Sequence, residues 1–130
     1  MHRFVEHIGE VELELKAPSE EGIFQAAADA FAELADGDPV GERCTRRITL
    51  SGDDHALLLV DWLSELVFLA EVDRFVPVRV THFRVAGSSL SATVEGRRGR
   101  PAHLVKGVTL NNLSLKESCD GWRARVVLDV

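Results

Sequence analysis

The chain has 130 residues and a mass of 14.3 kDa, with 45% hydrophobic and 28% charged residues, which is one domain's worth of soluble globular chain and excludes two ordinary domains or global disorder. Apolar runs stop at five residues, as in Ala56–Val60, so no transmembrane helix is expected. Fifteen basic residues against 21 acidic ones give a net charge of −6, which argues against stand-alone nucleic-acid binding.

The imbalance is concentrated at the front, where residues 1–36 carry −7: Arg3 and Lys16 against seven Glu and two Asp. The one basic cluster visible in the sequence is Arg97, Arg98, Arg100 and Lys106, sized for a local contact or a solvated loop. Met1–His7 lacks the apolar stretch of a secretory signal, and only Cys44 and Cys119 are present. A disulfide framework is not expected, and a reducing cytoplasm is the expected compartment.

Taken in chain order, Phe4–His7 reads as a short strand broken at Gly9. Glu10–Lys16 then alternates without an error, with Val11, Leu13 and Leu15 on one face and charges on the other, the pattern of a half-buried strand. Pro18-Ser19 opens a helix, with Ser19 as N-cap and Glu20 and Glu21 in the first turn, where the helix dipole favours anions. Ile23, Ala27, Ala30, Phe31 and Leu34 give its buried stripe, and Asp36-Gly37-Asp38-Pro39 ends it. Arg43–Leu50 reads as a strand with Ile48 and Leu50 inward.

The strongest element is a helix from about Asp54 to Glu71, with Leu58, Leu59, Trp62, Leu63, Leu66 and Ala70 on one broad apolar face. From Pro77 the period is mostly two. Val78, Val80 and Phe83–Val85, then Gly87-Ser88-Ser89, then Leu90–Val94 read as a hairpin. Gly96–Pro101 is expected as a loop. Leu104–Leu115 is expected as a strand that Asn111-Asn112 interrupts. Asp120-Gly121 is a hairpin-turn signal, and Trp122–Val130 is the last strand. Two helices against a mostly antiparallel sheet make a two-layer α+β sandwich of residues 1–130 as a single domain.

Stand-alone catalytic signatures are missing: there is no Walker loop, no GxSxG and no HExxH. His2, His7, His55, His82 and His103 have no metal-ligand spacing, and the two cysteines are isolated, so a zinc ribbon is excluded. Acidic residues are more informative. Asp129 lies on the outer face of the last strand, beside the α-carboxylate of Val130. A second acid brought to that end would create a site of hard oxygens suited to Ca²⁺ or Mg²⁺, because carboxylates held that close need a cation or a proton. Glu10 on its own pattern is the first wet position of a strand, with Glu12 and Glu14 pairing across to Arg123 and Arg125. Asp61 and Glu65, at i and i+4 on the long helix, either stand exposed or face a partner's basic surface. Lys106 is a solvated lysine or the counter-ion of a nearby acid.

The stretches Val5-Glu6-His7-Ile8-Gly9-Glu10, Leu57–Phe68, Val105-Lys106-Gly107-Val108-Thr109 and Val126-Val127-Leu128-Asp129 together resemble the archease family over nearly the whole chain. The family's Asp-His-Thr-Ala-Asp signature appears here with Glu6 and Glu10 in the two Asp positions and His7 retained. Its Lys-Ala-Val-Thr-Tyr-His becomes Lys106-Gly107-Val108-Thr109-Leu110-Asn111. The resemblance implies a non-catalytic cofactor of the RtcB-type RNA ligase, promoting its guanylylation and turnover in tRNA splicing or RNA repair. It implies a divalent metal, typically calcium, held by Glu10 and Asp129 with Val130 as a third ligand. Glu6, His7, Asp61, Glu65 and Lys106 follow as partner-facing or accessory residues. Contact with RNA is then expected only through the ligase, and no membrane contact is expected. Two alternatives stand beside this: a diverged archease-like binding or chaperone-like module without a ligase role, and a metal-dependent hydrolase using Glu6 or His7 as base.

Overall fold

The computed structural model describes residues 1–36, 41–103 and 105–130. Its elements in chain order are β1 (His2–His7), β2 (Glu10–Ala17), α1 (Glu20–Ala35), β3 (Arg43–Ser51), α2 (His55–Glu71), β4 (Phe75–Ala86), β5 (Ser89–Arg98), β6 (Gly107–Ser118) and β7 (Gly121–Asp129). The α+β reading with two helices holds. The strands divide into two antiparallel sheets, in the orders β1-β2-β7-β6 and β3-β5-β4. The helices pack against strands of both.

Local chemistry explains where the helices begin. Ser19 Oγ accepts from the Gly22 N–H at 3.1 Å, with Glu20 and Glu21 in the first turn of α1. Asp54 caps α2, its carboxylate accepting from the N–H groups of Ala56 at 2.9 Å and Leu57 at 3.2 Å. The expected end of α1 at Gly37–Pro39, and the expected strand start at Leu104, lie outside the described residues.

The core sits between the sheets and the helices. Trp62, Phe24, Phe31 and Phe75 are its largest fully buried side chains. Each such side chain contributes on the order of 1.5–3 kcal/mol before entropy is subtracted. The Trp62 indole N–H donates to the Phe24 carbonyl at 3.0 Å, so its polar atom is satisfied and α2 is tied to α1. The Phe83 ring packs against both Phe24 and Trp62.

Three local expectations need correction. β5 runs through Gly96 and Arg97 to Arg98, so the basic stretch begins in a strand and not in a loop. Gly96 permits this, because a Cβ there would lie 2.3 Å from the Val76 carbonyl oxygen. Beside it on β4, Val78 is exposed, since the β4–β5 register shifts between Pro77 and Arg79 and leaves it as the extra residue. Ser118 pairs with Gly121, so the tight turn of the last hairpin is Cys119-Asp120, one residue earlier than the Asp-Gly signal suggests. Glu12 is buried, although its strand was expected to have one wet face. Among the described residues no helix is long and apolar enough to cross a membrane.

Candidate functional site

The β1–β2 hairpin turns over Ile8 and Gly9, with Gly9 at φ +73°, a conformation that suits glycine. The turn places His7 opposite Glu10. On the other side of β2, Glu10 is the direct partner of Asp129 on β7, and Asp129 in turn faces Gly107 on β6. His7, Glu10, Asp129 and Gly107 therefore form one row across all four strands, at the end of the sheet. Directly opposed side chains on one sheet face have Cβ atoms about 4.5–5.5 Å apart.

Backbone bonds fasten this end. The Val130 N–H donates to the Gly9 carbonyl at 3.0 Å, and the Lys106 N–H donates to the Asp129 carbonyl at 2.7 Å. The chain's first turn, its last strand and the start of β6 are thus locked together around the two acids. Glu10 is half-buried and Asp129 is exposed.

Like charges directly opposite on a sheet destabilise it. Further along the same face the remaining acids have arginine partners: Arg3 pairs with Glu14 at 2.6 Å, and Arg125 lies 3.6 Å from Glu12. The cross-strand pairing expected for Glu12 and Glu14 therefore exists with Arg3 in place of Arg123, which faces Lys16. Among the described residues no lysine or arginine pairs with Glu10 or Asp129. Two uncompensated hard carboxylates suit a hard divalent cation, which takes oxygen ligands from several groups. Among the described residues no group of three or more His, Cys, Asp or Glu side chains is placed to hold a metal ion.

The other expected site residues are placed as follows. His7 shares the row. Glu6 pairs with Val11, whose side chain is in the core, so Glu6 belongs to the opposite sheet face from Glu10. Lys106 is exposed beside Asp129, and its contribution there is the backbone bond. Asp61 and Glu65 lie on the outer side of α2 between the exposed Leu57 and Phe68. Among the described residues no hydrogen bond or ion pair joins either to the Glu10–Asp129 row. Gly107 has a role the residue types do not announce. Its missing side chain leaves open space next to Asp129, with nothing within 4 Å of where a Cβ would stand. A glycine inside a strand pattern is the signal that points to such a gap. Leu110 and Asn111, which replace the family's Tyr-His, are exposed in the β6 bulge where Asn112 adopts φ +57°.

The Archease protein family (MTH1598/TM1083) matches residues 2–130. A protein archease of Methanosarcina barkeri is 32% identical, and one of Methanosarcina acetivorans is 34% identical, each over 99% of this chain and 95% of the relative. Among solved structures, the crystal structure of an archease, possible chaperone, from Thermotoga maritima superposes with a TM-score of 0.73 at 18% identity, covering 100% of this chain and 98% of that one. The solution structure of Methanobacterium thermoautotrophicum protein 1598 gives 0.71 at 24% identity, covering 99% and 98%. At those identities the structural matches speak for the fold alone, and the family rests on the match over nearly the full length and on the Methanosarcina relatives. The chain belongs to the archease family.

Proposed function

We propose that this protein is a non-catalytic helper of an RtcB-type RNA ligase, and that its acidic sheet end is the working part. The observation that carries the reading is the register pairing of Glu10 with Asp129, without a cationic side chain between them, in a chain of this family. The two carboxylates, with a main-chain oxygen of Val130, would hold a calcium ion or a similar hard cation. Such an ion supplies positive charge next to phosphate oxygens. Glu10 and Asp129 would present it to the ligase's nucleotide cleft, and Gly107 leaves the approach to Asp129 open. Electrostatic help of this kind lowers the barrier to forming the ligase's lysine–GMP bond. The protein would work in the cytoplasm.

The test adds the protein to its cognate ligase at limiting GTP and follows enzyme–GMP formation. The expected result is a gain over ligase alone that Glu10→Ala and Asp129→Ala each remove by tenfold or more. No gain, or a gain both variants retain, contradicts the reading. The Thermotoga relative's description as a possible chaperone fits a helper acting on another protein, and it makes ligase solubility without GTP a useful parallel readout.

A further inference from the structure

The outward face of the β3-β5-β4 sheet gathers charge that the sequence scatters over more than fifty residues. The register places Arg43 opposite Arg97, Thr45 opposite Glu95 and Arg79, Arg47 opposite Thr93 and Thr81, and Thr49 opposite Ser91 and Arg84. The intervening residues Ile48, Ala92 and Val94 point into the core, so these rows share the solvent side. Five arginines and one glutamate occupy these rows, and the rest is threonine and serine apart from Val76, which lies opposite Arg97. Glu95 is already paired with Arg79. Among the described residues Arg43, Arg47 and Arg84 have no acidic partner.

The face sets Arg43 directly across from Arg97. At that end it dips into a cleft of about 390 Å³, lined in part by Arg43, Arg79, Glu95 and Arg97. All its cations are arginine, the side chain whose planar fork meets phosphate oxygens in pairs. The interleaved hydroxyls add neutral donors of the kind that contact phosphate and sugar. Among the described residues, the large exposed apolar residues near the face are limited to Val78, which does not suit insertion into a lipid surface. Aromatic side chains for base stacking are missing from these rows.

We propose that this sheet face binds the sugar–phosphate backbone of single-stranded nucleic acid directly and without sequence preference. The inference goes beyond the ligase-helper reading and revises its expectation that RNA is touched only through the ligase. It also corrects the view that Arg97, Arg98, Arg100 and Lys106 are the one basic cluster. The protein's −6 does not oppose it locally, since fields from acids on the other sheet are screened within about 8 Å at physiological salt.

The test is fluorescence anisotropy of a labelled 12-nucleotide single-stranded RNA, titrated with the full chain and no ligase present, at 50 and 200 mM KCl. With about three phosphates neutralised, by Arg43, Arg47 and Arg84, affinity is expected to fall roughly 20-fold between the two salts. The variant Arg43→Ala/Arg47→Ala/Arg84→Ala is expected to bind at least tenfold more weakly at 50 mM and to lose about two units of the log–log salt slope. The single charge reversal Arg47→Glu, at an exposed position, is expected to weaken binding several-fold. A control variant on the other sheet, Lys16→Ala/Lys116→Ala/Arg123→Ala, is expected to stay within twofold. No RNA binding at 50 mM, an equal loss in the control variant, or unchanged binding in both arginine variants overturns the proposal. So does an arginine-dependent association with phosphatidylserine vesicles in the absence of RNA binding. Because the ligase is omitted, failure of the guanylylation assay leaves this result independent.

Discussion

Single residues decide how the ends of the helices are held. The His55 ring has acceptors at both nitrogens: Glu20 Oε1 lies 2.7 Å from Nδ1, and the Gly87 carbonyl lies 2.6 Å from Nε2. Only the imidazolium can donate to both. The Gly87 carbonyl, followed by the Glu20 carboxylate and the nearby Asp54, raises the His55 pKa above its ordinary 6.5, against the opposing effect of burial. A raised folded-state pKa contributes stability that is complete below the unfolded value and fades as pH rises through the folded value. The expected outcome is a melting-temperature gap between the protein and His55→Gln that is wider at pH 6 than at pH 9. Equal gaps at the two pH values would contradict the double donation. The sequence offered nothing to single out His55 from the other four histidines. Its partners are contributed by α1 and by the β4–β5 turn, 35 and 32 residues away.

Elements were legible in the sequence where one periodicity ran without interruption. Glu10–Lys16 and the long apolar helix fall where their patterns place them, with Ser19 and Asp54 at the caps. The period of two fails where a strand carries an extra residue. The bulge before Arg79 leaves Val78 exposed. The β6 interruption was visible at Asn111-Asn112, while its size, the residues between Thr109 and Ser114 facing a single position of β7, was not. Gly96 belongs to this scale as well. The sequence pattern reads it as the start of a loop, yet it is a buried strand position pressed against the Val76 carbonyl and the Phe75 ring. Gly96→Ala would bring a methyl to 2.3 Å from that carbonyl oxygen, which backbone must yield to. A loss of about 1–3 kcal/mol is expected, read as a lower denaturation midpoint in urea. An unchanged midpoint would show that β4 and β5 separate there without cost.

At the scale of the whole molecule, each sheet carries a charged feature built from more than one strand. The β1-β2-β7-β6 sheet ends in the Glu10–Asp129 row, and the β3-β5-β4 sheet carries the arginine face. The acidic end was half legible: Asp129 stood out by residue type, but only the family resemblance pointed to Glu10 as its neighbour, because sequence spacing does not reveal which strands pair. The arginine face was not legible at all, since its members come from three strands and none forms a run longer than two in the chain. The proposed helper role depends most on the two carboxylates sharing one hard cation. Calorimetric titration of calcium into the untagged protein, Glu10→Gln and Asp129→Asn tests it most directly. One binding site in the parent protein, weakened at least tenfold in both variants while their melting curves stay cooperative, is the predicted result. Absence of binding to the parent, or equal binding to all three, would contradict it.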